Sequence, residues 1–102
     1  MSRFRRFCFT INNYTQQDIE NVTATANECE YLCFQKEVGS LEQTPHIQGY
    51  GRFKNARTIV QISRYLPRAH IEQAKGNDEQ NRAYCSKEGG DGFTEFGSFN
   101  PG

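Results

Sequence analysis

Tryptophan is absent from the 102-residue chain, and methionine occurs once, at position 1. Apolar residues are scarce at 35%, and no apolar run approaches the roughly 20 residues that span a bilayer, so a membrane protein is not expected. The basic opening MSRFRRF leads into no apolar stretch with a small-residue cleavage site, so no secretory leader is expected either. Net charge is zero, which argues against a generic polyanion binder. Cys8, Cys29, Cys33 and Cys85 include no C-x-x-C pair, which speaks against a structural zinc centre. Reduced, structural thiols in a soluble intracellular protein are the expectation. Repeats, low-complexity tracts and internal linkers are also missing. The chain therefore reads as one domain, 1–102, with a modest core.

What is present is aromatic: eight Phe and five Tyr offset the thin aliphatic content with large buried areas. Charge is segregated along the chain. Residues 15–42 carry six acids against one lysine, whereas 52–68 carry five bases and no acid. Such segregation can build a basic face on a neutral protein.

Alternation over Phe4 to Ile11 predicts a strand with Phe7, Phe9 and Ile11 on one side. Thr15 with Asp18 three residues on predicts a capped helix running to about Ala26. Strands are predicted over Tyr31–Val38 and His46–Phe53, paired as a hairpin around a polar loop. Asn55 can cap a helix from Ala56 to Leu66, which Pro67 ends. A short strand over Ala69–Gln73, a helix capped by Asn77 or Asp78 and running to about Lys87, and a strand over Phe93–Phe99 complete the chain. The order β-α-β-β-α-β-α-β suggests an α+β fold of the ferredoxin or RNA-recognition kind: an antiparallel sheet with helices on one face and the other face open.

The chemistry concentrates in two segments. In the third strand His46, Gln48, Tyr50 and Arg52 share the outer side, and Ile47, Gly49, Gly51 and Phe53 the inner. On the preceding strand Leu32 and Phe34 match the inner side, so Cys33, Gln35 and Glu37 match the outer. Glu37, His46 and Gln48 can then converge as a carboxylate, an imidazole and an amide oxygen. That donor set suits Mg2+ or Mn2+ with positions left for water and phosphate. In the second segment Tyr84, Lys87 and Glu88 stand at i, i+3 and i+4 on one helix face, where an ammonium beside a phenol would favour a nucleophilic phenolate.

Three ordered segments, Cys8-Phe9-Thr10-Ile11-Asn12-Asn13, His46-Ile47-Gln48 and Tyr84-Cys85-Ser86-Lys87-Glu88, resemble the three motifs of Rep proteins. These are the rolling-circle replication initiators of eukaryotic circular single-stranded-DNA viruses, within the HUH endonuclease superfamily. The His-hydrophobe-Gln form is similar to the circovirus and nanovirus branches, as are His70-Ile71-Glu72 with Lys75-Gly76 and the closing Phe96-Gly97-Ser98-Phe99. The resemblance implies a metal-dependent endonuclease that nicks an origin stem-loop carrying a nonanucleotide and leaves a 5′-phosphotyrosine and a free 3′-hydroxyl. Residue by residue, it implies Tyr84 as nucleophile, with Lys87 assisting and Glu88 as an accessory group. Glu37, His46 and Gln48 become ligands of Mn2+ or Mg2+, and Thr10, Asn12 and Asn13 contact the single strand. It further implies a longer protein with a superfamily-3 helicase domain, oligomeric at full length though monomeric as this domain, acting with host replication machinery in the nucleus. Parity and charge add Tyr50 as a stacking platform and Arg3, Arg5, Arg6 and Arg52 as steering cations.

Two other readings compete. A non-catalytic single-strand-binding module would account for exposed aromatics and basic segments, but not for the Glu-His-Gln set beside a Tyr-x-x-Lys helix. A hydrolytic nuclease working through activated water would leave Tyr84 structural.

Overall fold

The alternation around Phe7, Phe9 and Ile11 becomes β1 (Phe4–Asn12) in a computed structural model that describes residues 2–37, 45–87 and 92–101. There follow α1 (Gln16–Ala26), β2 (Cys29–Glu37), β3 (His46–Arg57), α2 (Ile59–Tyr65), β4 (His70–Gln73), α3 (Asp78–Ser86) and β5 (Phe93–Gly97). The strands form one antiparallel sheet in the order β4-β1-β3-β2-β5, the α+β architecture expected from the sequence. Val38 and the polar loop after it lie outside the described residues.

Each helix among the described residues opens on a reciprocal capping box: Thr15 with Asp18, Thr58 with Gln61, and Asn77 with Gln80. The cap expected at Asn55 is a correction. β3 continues to Arg57, which pairs with Phe4 beyond an irregularity in the β1 ladder. Thr58 has the glutamine three residues on that a capping box requires, whereas Asn55 has a threonine there. β5 also ends earlier than expected. Gly97 turns into the left-handed region at φ +83°, and the next N–H, of Ser98, donates to the Glu30 carbonyl at 2.7 Å.

The main core lies between the sheet and the first two helices. Phe7, Phe9, Ile11, Leu32, Phe34, Ile47 and Phe53 meet Val22 of α1, Ile62 of α2 and Leu66 just beyond it. Gly49 and Gly51 stand opposite Phe9 and Phe7 on the neighbouring strand, and the phenyl rings lie across the glycines. A Cβ on Gly51 would come within 2.6 Å of Phe7 Cε1, so the close approach needs glycine there.

A smaller cluster forms on the other face, where Tyr31, Cys33 and Tyr50 pack with Cys85 of α3. The helices thus divide between faces: α1 and α2 cover one, and α3 crosses part of the face expected to be open. The buried stripe of α3 is Asp78, Asn81 and Cys85, mostly polar. Hydrogen bonding therefore does much of its docking. The Asp78 carboxylate, 1% exposed, accepts from the Tyr50 hydroxyl at 2.5 Å, from Arg52 Nη2 at 2.9 Å and from the Asn100 backbone N–H at 3.1 Å. Burial alone would push its carboxyl up, but these donors outweigh it and hold the group below the usual carboxylate range. Further along, Arg82 pairs with Glu95 of β5, which also accepts from the Tyr31 hydroxyl at 2.6 Å.

Two outcomes follow for stability. Gly51→Ala forces the Phe7 ring out of its place and is expected to cost roughly 1–3 kcal/mol, read from urea unfolding. Asp78→Asn breaks a buried pair and is expected to cost about 3–5 kcal/mol. Because the folded carboxyl titrates below its unfolded value of about 3.9, the difference from wild type is complete at neutral pH and shrinks as pH falls below about 4. Thermal melts between pH 3 and pH 7 would check both the size and the sign.

Candidate active site

The antiparallel register of β2 and β3 places Glu37 opposite His46 and Gln35 opposite Gln48. From β1, Thr10 lies opposite Gln48 and Asn12 opposite His46. Since Leu32, Phe34, Ile47 and Ile11 point into the α1/α2 core, strand alternation turns all six of these residues toward the face that α3 crosses. The parity expected from sequence is therefore realised for Glu37, His46 and Gln48.

Glu37 Oε1 and His46 Nε2 are 2.7 Å apart, with side chains 15% and 22% exposed. The Thr10 hydroxyl donates to Gln48 Oε1 at 3.1 Å, which leaves that oxygen a second lone pair. Glu37 Oε2 is buried and has no hydrogen-bond partner. An unsatisfied buried acceptor of this kind costs about 1–3 kcal/mol, more when charged, so its retention points to a ligand. Among the described residues no group of three or more His, Cys, Asp or Glu is placed to hold a metal. The donor set here depends on an amide, a hard oxygen that suits Mg2+ or Mn2+ beside one carboxylate and one imidazole.

Tyr84 stands on the last turn of α3, 53% exposed, one residue before the buried Cys85. The Cys85 thiol is pushed up by its hydrogen bond with Cys33 and by burial, which ties this end of the helix to β2. Lys87 Nζ sits over the Tyr84 ring, 4.3 Å from its centroid. The ammonium thus meets the π face, and its contact with the phenol is a cation–π one that orients the ring. Glu88 lies outside the described residues.

All four cysteines are free thiols, as expected. Burial pushes Cys8 up to about 11 and Cys29 up to about 12, so both stay protonated. Sequence reasoning missed that Cys8, Cys33 and Cys85 share the contact between α3 and the sheet. For Cys8 and Cys33 the available signal was strand parity, which puts both on the outer side of the sheet.

The expected DNA contacts divide. Tyr50 is fully buried beneath α3 with its hydroxyl on Asp78, so it offers no stacking platform. Arg52 is 8% exposed and bound to Asp78, Glu30 and the Ser98 carbonyl, so it is a structural cation. Both corrections have one cause, the passage of α3 over the outer face. Arg5 donates to the Phe53 carbonyl and pairs with Glu30. Arg3 and Arg6 are exposed and border, with Arg5 and Gln73, a depression of about 350 Å³. Asn12 and Asn13 are exposed, and Asn13 takes the left-handed conformation at φ 52° while its N–H donates to the Pro45 carbonyl at 2.7 Å.

Comparison with known proteins agrees with these motifs. Residues 4–88 match the family described as "Putative viral replication protein". The replication-associated protein of beak and feather disease virus is 48% identical over 86 residues, 83% of this chain and 29% of that protein. The corresponding protein of pigeon circovirus is 42% identical over 83% of the chain and 27% of its own length. The master replication protein of banana bunchy top virus is 40% identical over 89% of the chain and 30% of its length. The chain thus spans less than a third of the curated relatives it matches. With Thr10, His46 and Gln48 on the sheet face that the Tyr84 helix crosses and the match running from β1 through α3, the chain belongs to the family of viral replication proteins with circovirus and nanovirus members.

Proposed function

We propose that this chain is the DNA-nicking domain of a longer replication initiator, cutting one strand with Tyr84 and remaining covalently joined to it. The observation that carries the reading is the buried, unpartnered Oε2 of Glu37 beside His46 and Gln48, on the face crossed by the helix that presents an exposed tyrosine. The replication-associated names of the relatives support it.

Glu37, His46 and Gln48 would hold Mg2+ or Mn2+, which when bound supplies Lewis-acid stabilisation of negative charge on a phosphate oxygen. Exposure of Tyr84 lets the phenol lose its proton to bulk water. Its oxygen attacks phosphorus in line, the bond from phosphorus to the 3′-oxygen breaks, and the departing oxygen takes a proton from water. The products are a 5′-phosphotyrosine and a 3′-hydroxyl that a polymerase can extend. The new bond is still a phosphodiester, so a 3′-hydroxyl attacking it in reverse rejoins strands without a nucleotide cofactor. Lys87 keeps the tyrosine ring oriented through its π face. Thr10 orients the Gln48 amide, and Asn12 and Asn13 edge the same site for contact with single-stranded DNA. Arg3 and Arg6, exposed at the start of β1, are the cations best placed to meet phosphates. An origin stem-loop as substrate, host replication proteins as partners and the nucleus as the place of action complete the proposal.

The binding-module reading relied on an aromatic platform, and Tyr50 is beneath α3. The decisive assay incubates the chain with labelled single-stranded origin oligonucleotides in Mn2+ or EDTA and resolves products on a denaturing gel. A heat- and detergent-stable protein-DNA band is expected in Mn2+ only, absent in Tyr84→Phe. Cleavage retained in Tyr84→Phe with no adduct would sink the tyrosine mechanism in favour of hydrolysis by water. Binding without cleavage would favour the non-catalytic module.

A second expectation concerns the ligands. His46→Ala is expected to lower the nicking rate by at least about 100-fold, beyond the 10–100-fold typical of losing an outer partner. Raising Mn2+ should recover part of that rate, whereas Tyr84→Phe recovers none.

A further inference from the structure

Glu37 Oε2 is not the only orphaned atom on this face. Gln35 is 2% exposed, and its Oε1 is likewise buried with no hydrogen-bond partner. Among the described residues these are the only two buried side-chain polar atoms left so. They belong to residues two apart on β2, hence on one side of the strand.

The amide orientation follows from its neighbours. Gln35 Nε2 donates to the Lys36 carbonyl at 3.0 Å, and reversing the amide would set two oxygens against each other. The nitrogen end is also closed in by Gly92, where a Cβ would approach within 2.5 Å of Nε2. The oxygen is therefore the free end. Gln35 faces Gln48 directly across the β2–β3 ladder, and Glu37 and His46 form the next pair with the same parity. Gln35 thus carries a buried free acceptor on the same face of β2 as Glu37, one same-face pair along the ladder from Glu37 and His46, whose side chains are 15% and 22% exposed.

We propose that Gln35 is a positioning residue of the metal site, its Oε1 accepting a hydrogen bond from a water in the shell of a divalent cation held by Glu37, His46 and Gln48. The inference rests on the metal-site reading above. Ions of the Mg2+ type keep several waters when bound, and those waters need acceptors. The amide nitrogen has a structural use, its bond to the Lys36 carbonyl, but the oxygen has none among the described residues, and a buried acceptor left so is costly.

The test titrates Mn2+ into the 102-residue chain, following free ion by electron paramagnetic resonance, alongside thermal melts in EDTA. Gln35→Met is expected to weaken Mn2+ binding about tenfold or more, with a cooperative thermal melt in EDTA showing that the variant is folded. Gln35→Glu, which keeps the acceptor and adds charge, is expected to bind Mn2+ at least as tightly as wild type. Folded Gln35→Met with unchanged Mn2+ affinity would overturn the role of Gln35. Should that variant fail to fold, weaker binding by Gln35→Glu overturns it instead. His46→Ala separates the two levels of the claim. If wild type takes up no Mn2+ and His46→Ala is indistinguishable from it, the metal-site reading itself falls. If His46→Ala loses an uptake that Gln35→Met retains, only the role of Gln35 falls.

Discussion

The buried pairing of Asp78 with Arg52 is the constraint on which the active face depends. α3 brings only one apolar residue, Cys85, into its buried stripe, so hydrophobic burial alone would hold it weakly. Its first residue instead accepts from Arg52, Tyr50 and the Asn100 N–H together, tying the helix to β3 and to the chain beyond β5. Desolvating a carboxylate and a guanidinium is costly, and such a pair is tolerable only when the surrounding donors and acceptors are also matched. Arg52 meets that condition by reaching Glu30 and the Ser98 carbonyl as well. Tyr84 is carried six residues further along the same helix, so its place relative to the sheet derives from this anchor.

The same network explains the fate of the segregated charge. The acid-rich stretch and the base-rich stretch do not form opposing faces. They pair in part across the fold, Asp18 with Arg68, Glu28 with Arg57 and Glu30 with Arg52, and Glu30 also meets Arg5 of β1. Sequence separation therefore became spatial pairing. Arg3 and Arg6 are left exposed at the start of β1, a narrower basic patch than linear charge runs suggest.

The face that carries Glu37 and Gln35 shows the opposite economy. Among the described residues the other buried polar side-chain atoms are satisfied, as in Asp18, whose carboxylate serves both its helix cap and Arg68. On β2 two buried acceptors two residues apart are left without partners. Local inconsistency of this sort, set within an otherwise consistent fold, is where function is expected to reside. The surrounding β1–β3–β2 ladder over-determines the positions of these groups, so the cost is carried by the sheet as a whole.

Much of this was legible in the chain. Strand alternation was enough to put Glu37, His46 and Gln48 on one side, because a period of two leaves a residue only two choices and Ile47 takes the core. Capping residues marked α1 and α3 for a similarly local reason. Asn55 misled because a cap needs its third-residue partner, and β3 had a strand to pair with up to Arg57. What the sequence determined by itself, then, was periodicity: which residues share a face, where helices open, and which side chains have the chemistry to bind a cation or attack phosphorus. Which face remains open was decided only by tertiary structure. α3 crosses the outer side of the sheet, burying Tyr50 and Arg52, because the partners that hold it there, Asp78 with Arg52 and Arg82 with Glu95, lie far apart in the chain and meet only when the sheet is complete.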